Sequence, residues 1–150
     1  MIALGLSALS VLLIWFYKKP VKQDIEENSD ANEEELKKIY HKTIELLNEK
    51  KYYLNKSVKL SDLAAEIGYN ERLVSKSINK FGSGNFNKFL NTFRVDHSKD
   101  LLIGGRYDHY TIEAIADESG FSNKVSFYNA FKSEVGMSPS EFKKAKQLKN

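Results

Sequence analysis

Leu63-Ala64-Ala65-Glu66-Ile67-Gly68-Tyr69 occurs twice in this chain: fifty-two residues later the sequence reads Ile115-Ala116-Asp117-Glu118-Ser119-Gly120-Phe121. Both copies carry an apolar residue, Ala, Glu, Gly and an aromatic ring in the same order. Each is followed by a polar residue, a mixed basic and polar run, and apolar anchors at helical spacing. These anchors are Val74 and Ile78 after Tyr69, and Phe127 and Phe131 after Phe121. A repeat of this kind is the first thing a chain of this length offers.

Each copy predicts a helix, a tight Gly turn and a second helix, the outline of a helix-turn-helix. Ala64 and Ala116 suit a place where two helices cross closely. Gly68 and Gly120 suit the end of the first helix, where a left-handed backbone carries little penalty without a Cβ. Asn70 and Ser122 are then the expected caps of the second helices, accepting their free N–H groups.

The 150 residues include two prolines, no Cys, and 41% apolar content, enough for a helical core. Without Cys there is no disulfide framework, cysteine-bound zinc site or thiol chemistry. The net charge of +3 does not name a partner by itself. Residues 1–56 hold nine basic and nine acidic groups, whereas residues 57–150 hold fourteen and eleven, so the excess lies with the repeat.

Residues 1–17, MIALGLSALSVLLIWFY, contain no charged side chain, and Lys18, Lys19 and Lys22 follow. As a helix they would rise about 25 Å, at the short end of a bilayer span. Trp15 and Tyr17 stand where interfacial aromatics belong. The expectation is a single-pass anchor in the inner (cytoplasmic) membrane, with everything after Lys18 in the cytoplasm. A cleaved signal peptide would carry its positive charge before the apolar run, and a buried core helix would be cut off by Lys-Lys-Pro and an acidic run. Residues 18–32 read as a flexible tether with a reach of roughly 20 Å.

From Glu33 an amphipathic helix is expected, with Leu36, Tyr40, Ile44 and Leu47 on one face and Ile39 and Leu46 beside them. It is read as packing on the unit that follows. Helix-turn-helix units are expected over about 61–81, with Ser61 as first cap, and about 111–134, capped by Thr111. Between them Phe86, Phe89, Leu90, Phe93, His97 and Leu101 recur at helical intervals, predicting a linker helix over about 85–103 that fixes the separation of the units. His97 reads as a half-buried polar residue. Ser138-Pro139-Ser140-Glu141 predicts a capping box and a last helix over 139–148. The whole of 33–150 reads as one all-α domain, a homeodomain-like pair of units behind one transmembrane helix.

Residues from about Lys59 to Lys144 resemble the DNA-binding domain of AraC/XylS-type transcription regulators. The matching pieces are Leu63-Ala64…Gly68-Tyr69, Phe93-Arg94…Leu101-Leu102, Ile115-Ala116…Gly120-Phe121…Phe127…Phe131-Lys132 and Gly136-Met137-Ser138-Pro139…Phe142. Two departures are Ser98, where the family usually has Ala, and Ser119, which replaces an apolar residue. The apolar stretch ahead of such a domain resembles membrane-anchored members in which a sensory part comes first.

The resemblance implies a DNA-binding regulator with no cofactor, no metal and no catalytic residue, whose partner is double-stranded DNA. A sensor protein and RNA polymerase are further candidate partners. The second helix of each unit would enter a major groove, with the two grooves about 34 Å apart. The family's base-contacting places fall on Arg72, Ser75, Lys76, Lys124, Val125 and Asn129. Their chemistry suits base reading, since Arg and Lys donate to guanine, Asn pairs with adenine, and Val meets a thymine methyl. Phosphate contacts are expected from Asn70, Lys80, Lys88, Arg94, Asn123, Tyr128, Lys132, Lys143 and Lys144, with an internal carboxylate as the other destination for Arg94. The competing readings are a membrane-anchored module that binds protein, and the output end of a longer receptor. An enzyme is disfavoured: the sequence has no His pair at ligand spacing, no phosphate loop and no Ser-centred elbow.

Overall fold

The structure, a computed structural model, describes residues 32–107 and 109–148. Among these residues all regular structure is helical. Helix α1 is Glu33–Lys50, followed by a 3-10 turn at Tyr52–Leu54. Helices α2 (Leu60–Ile67) and α3 (Glu71–Phe81) form the first unit. Helix α4 (Phe86–Ile103) leads to a second 3-10 turn, Gly105–Tyr107. Helices α5 (Ile112–Glu118) and α6 (Lys124–Val135) form the second unit, and α7 (Pro139–Gln147) closes the chain.

Every α-helix but one begins on the residue its sequence favours for a cap or within one residue of it. Asn32, Asn70, Asn85, Thr111, Asn123 and Ser138 each accept a hydrogen bond from the backbone N–H three residues on. The expected capping box at α7 is present: the Glu141 carboxylate accepts from Ser138 N–H at 2.8 Å, and Glu141 N–H donates to Ser138 Oγ at 3.3 Å. Ser61 is not a cap. Helix α2 starts one residue earlier, at Leu60, because Asp62 accepts from the Lys59 N–H at 2.8 Å and satisfies that end without a polar cap residue. Nor is Ser122 the cap of α6; Asn123 is.

The two turns close alike. Tyr69 N–H donates to Ala64 O and Phe121 N–H to Ala116 O, both at 3.0 Å, while Gly68 N–H reaches Ala65 O and Gly120 N–H reaches Asp117 O. Both are Schellman endings with a left-handed Gly, φ 75° and 84°. They differ afterwards. Asn70 caps α3 at once, whereas Ser122 is left in the turn before Asn123 caps α6.

Helix α1 packs most extensively on α3, as the first-helix reading requires. Its buried face is Leu36, Ile39, Thr43, Leu46 and Leu47. Tyr40 and Ile44 lie at the edge of that face, where the Tyr40 ring meets Phe81 and Phe89. Ile39, Leu46, Leu47, Leu63, Ala64, Val74 and Ile78 form one core with Phe89 and Leu90 of α4. Val95, Leu101 and Leu102 of the same helix form another with Ile115, Ala116, Phe121, Phe127 and Phe131. The linker helix is therefore a structural member of both units, which is why a single helix can hold them. Fully burying a ring such as Phe127 or Phe131 contributes about 2–3 kcal/mol. Ser98 and Ser119 are buried without loss because each hydroxyl donates to a carbonyl of its own helix, Val95 O and Ile115 O at 2.7 Å.

Residues 1–17, where the anchor is expected, and all of the 18–32 tether except Asn32, the cap of α1, lie outside the described residues. Among the described residues no helix is long and apolar enough to cross a membrane. The inner-membrane location drawn from the sequence is therefore withdrawn.

Candidate nucleic-acid interface

The sequence of α3 divides its residues cleanly. Val74 and Ile78, four apart, are fully buried, and Ser77 beside them donates to Val74 O at 2.8 Å. The opposite side carries Arg72, Lys76, Asn79 and Lys80, all exposed, with Ser75 half-buried. Arg72, Ser75, Lys76, Asn79 and Lys80 share one open surface with Leu60 and Glu71. The structure thus brings the three expected base-reading residues of this unit onto one surface and adds Asn79, which its helical position four residues after Ser75 makes a natural companion. Lys80 is paired at 2.8 Å with Glu33 in the first turn of α1.

Helix α6 repeats the division, with Phe127 and Phe131 inside and Lys124, Val125, Asn129 and Lys132 outside. Val125 is 68% exposed, the least covered large apolar side chain on either recognition helix. Lys124 forms an ion pair with Glu113 in the first turn of α5, and its ammonium also lies 5.6 Å from the centre of the Tyr128 ring. The Tyr128 hydroxyl is shared with Ser140 at 3.2 Å, so this residue joins α6 to α7.

Of the expected phosphate contacts, Lys80, Lys88, Lys132 and Lys144 are exposed and Lys143 is half-buried. Asn70 and Asn123 spend their side-chain oxygens on the caps of α3 and α6, which leaves only their amide N–H groups for an anion. Asn70→Ala should cost about 1 kcal/mol of stability through the lost cap, read in urea unfolding. A variant as stable as the parent would deny the capping role.

Arg94 is a correction. It is 9% exposed, with its Nε donating to Tyr53 O at 2.7 Å and an Nη to Asn55 O at 3.1 Å. Its guanidinium stands 5.7 Å from the Phe121 ring centre, and burial lowers its pKa from the usual arginine value. Two main-chain carbonyls inside the protein claim its donors, because Arg94 faces the 3-10 turn that follows α1.

Residues 51–145 match the helix-turn-helix domain family, of the AraC type. The chain belongs to this family. An uncharacterised helix-turn-helix-type transcriptional regulator of Staphylococcus aureus is 30% identical over 115 residues, covering 71% of this chain and 15% of that protein. This chain therefore matches only a small part of that relative's length. The C-terminal domain of AraT, a response regulator from Geobacillus stearothermophilus, superposes with a TM-score of 0.61 at 21% identity, over 73% of this chain and 87% of that one. The DNA-binding domain of AdpA, solved in complex with a target DNA, gives 0.61 at 20% identity, over 73% and 96%. At these identities the likeness is one of fold.

Proposed function

We propose that this chain is a sequence-specific DNA-binding regulator of transcription that reads two successive major grooves with α3 and α6. The observation that carries the reading is the open face of α3, where Arg72, Ser75, Lys76 and Asn79 share one surface while their neighbours Val74 and Ile78 are fixed inside. A rigid helix face of donors, with its rotation set by a buried opposite face, is what base-edge recognition needs. Family membership and a fold shared with a domain solved on DNA support the same reading. A groove that binds a protein helix would instead expose apolar anchors at i, i+3, i+4 and i+7. Neither recognition helix does so. The family and fold are those of regulators, not of enzymes.

In this reading Arg72, Ser75 and Lys76 contact bases in one half-site, and Lys124, Val125 and Asn129 in the other. Lys80, Lys88, Lys132, Lys143 and Lys144 hold phosphates. Arg72 is the one arginine on either recognition helix and the strongest candidate for bidentate contact with guanine. A target duplex selected from random sequence, titrated by gel shift over a salt series, tests the reading directly. Affinity that falls steeply with salt marks phosphate contacts. Arg72→Ala should weaken the selected duplex by about 1–3 kcal/mol while leaving scrambled DNA nearly untouched. An equal loss on both duplexes would remove Arg72 from base reading, and salt-independent binding would remove DNA as the partner.

A further inference from the structure

Lys124 is the first residue of α6, at the end of the helix that a major groove would receive, and it is already occupied. Its ammonium donates to the Glu113 carboxylate, with both side chains 53% exposed. Glu113 belongs to the supporting helix α5, three residues from the core position Ala116. It is there for a local reason, as an acid in the first turn of a helix capped by Thr111. The hydrogen bond from Lys124 lowers the pKa of the Glu113 carboxyl, so at neutral pH the carboxylate is ionised. Nothing in the core of the second unit requires the pair. Phe127 and Phe131 are fully buried whatever Lys124 does, and both partners reach the pair from the surface.

Resting on the reading of α6 as a DNA-entering helix, we propose that Glu113 competes with DNA for Lys124 and so sets the grip of the second half-site, Lys124 engaging DNA only by leaving it. The consequence falls on only one of the two corresponding cations of the repeat. Arg72, the counterpart cation near the start of α3, joins no ion pair among the described residues. Arg72 can therefore meet DNA without that exchange, whereas Lys124 adds its charge only when the duplex offers more than Glu113 does. A nonspecific backbone offers one phosphate in place of one carboxylate, a near-even exchange. A cognate half-site offers Lys124 a base edge beside those met by Val125 and Asn129, in exchange for the same carboxylate. Glu113 in this way tempers the affinity of the second unit on any duplex, because leaving the ion pair costs the same whichever sequence Lys124 then meets.

The test uses the full chain and two duplexes, one of random sequence and one selected for tight binding. Glu113→Gln keeps the shape of the side chain and removes its charge. It should tighten the random duplex by about two- to fivefold, the scale of an exposed ion pair released. The slope of log affinity against log salt should become more negative by about 0.9, one further phosphate neutralised. The selected duplex should tighten by a similar factor, so the ratio between the two should stay nearly constant. In a Lys124→Met background the same Glu113→Gln change should do neither.

A gain that persists without Lys124 would mean that Glu113 merely repels DNA, which overturns the exchange. Weaker binding on Glu113→Gln would mean that the carboxylate orients Lys124 for DNA, which also overturns it. Both results leave the DNA-binding reading intact. That reading fails separately, if the parent chain shows no salt-dependent binding to either duplex.

Discussion

Gly120→Ala unfolds the domain far more readily than Gly68→Ala, although the sequence repeat makes the two glycines equivalents. Both have left-handed φ, so alanine at either position carries a backbone penalty of about 1–2 kcal/mol. For Gly68 that is the whole penalty, because a Cβ there meets nothing within 4 Å. At Gly120 a Cβ would collide with the Tyr53 carbonyl and stand 2.9 Å from Leu54 Cα and 3.0 Å from Leu54 O. All three contacts are backbone, which cannot rotate aside, so the turn at Tyr52–Leu54 must move. The expected losses are about 1–2 kcal/mol for Gly68→Ala and about 3–5 kcal/mol for Gly120→Ala. Urea unfolding of both full-length variants reads the difference. Equal losses would mean that the turn yields easily and that the second unit does not depend on it.

That contrast marks how far the sequence can be read. The helical hairpins are legible because their signals are local: Ala at the crossing, Gly at a Schellman ending, Asn, Ser or Thr within a residue of each start. The inward positions Val74, Ile78, Phe127 and Phe131 are legible for the same reason, since apolar residues four apart on a helix share a face. The face of α1 is rotated slightly from the one its apolar residues suggest. Tyr40 and Ile44 are apolar enough to look central, yet Ile39 and Thr43 are the residues inside. Thr43 is polar by composition and hides its hydroxyl by donating to Ile39 O at 2.8 Å, which no hydropathy pattern shows. Ser61 looks like a cap by residue type, but the carboxylate of Asp62 reaches backwards and satisfies that helix end first.

What stays invisible is long-range and involves main chain. The turn at Tyr52–Leu54 has no motif, yet Arg94 and Gly120 both seat against it from distant parts of the sequence. A Lys56–Asp117 ion pair joins the same stretch to α5. On the reading side, Arg72 and Lys76 can be singled out by residue type and helical phase. The engagement of Lys124 cannot, because Glu113 lies eleven residues away on another helix.

Arg94→Ala should cost about 2–4 kcal/mol of stability and leave the salt dependence of DNA binding unchanged, the reverse of what a phosphate contact would give. Two carbonyls, Tyr53 O and Asn55 O, accept from the guanidinium at 2.7 and 3.1 Å. Hydrogen bonds to a charged donor are each worth about 1.5–3 kcal/mol, and removal of the donor leaves its buried acceptors unpaired. Water entering the space left by the side chain would recover part of this, which holds the expected loss below the sum. Arg94→Lys keeps a charge on a flexible stem but cannot place two donors in a fixed fork, so it should restore less than half of the lost stability. The consequence reaches the DNA. Arg94 ties α4 to the turn that Gly120 of the second unit also touches, so its loss loosens the junction on which the spacing of α3 and α6 depends. At a temperature where Arg94→Ala remains folded, its preference for a duplex carrying both half-sites over one carrying a single half-site should shrink, with the salt slope on random DNA unaltered. A slope that flattened by about 0.9 would instead return Arg94 to the phosphate-contacting set. Full stability in the alanine variant would show that the two carbonyls need no partner from α4.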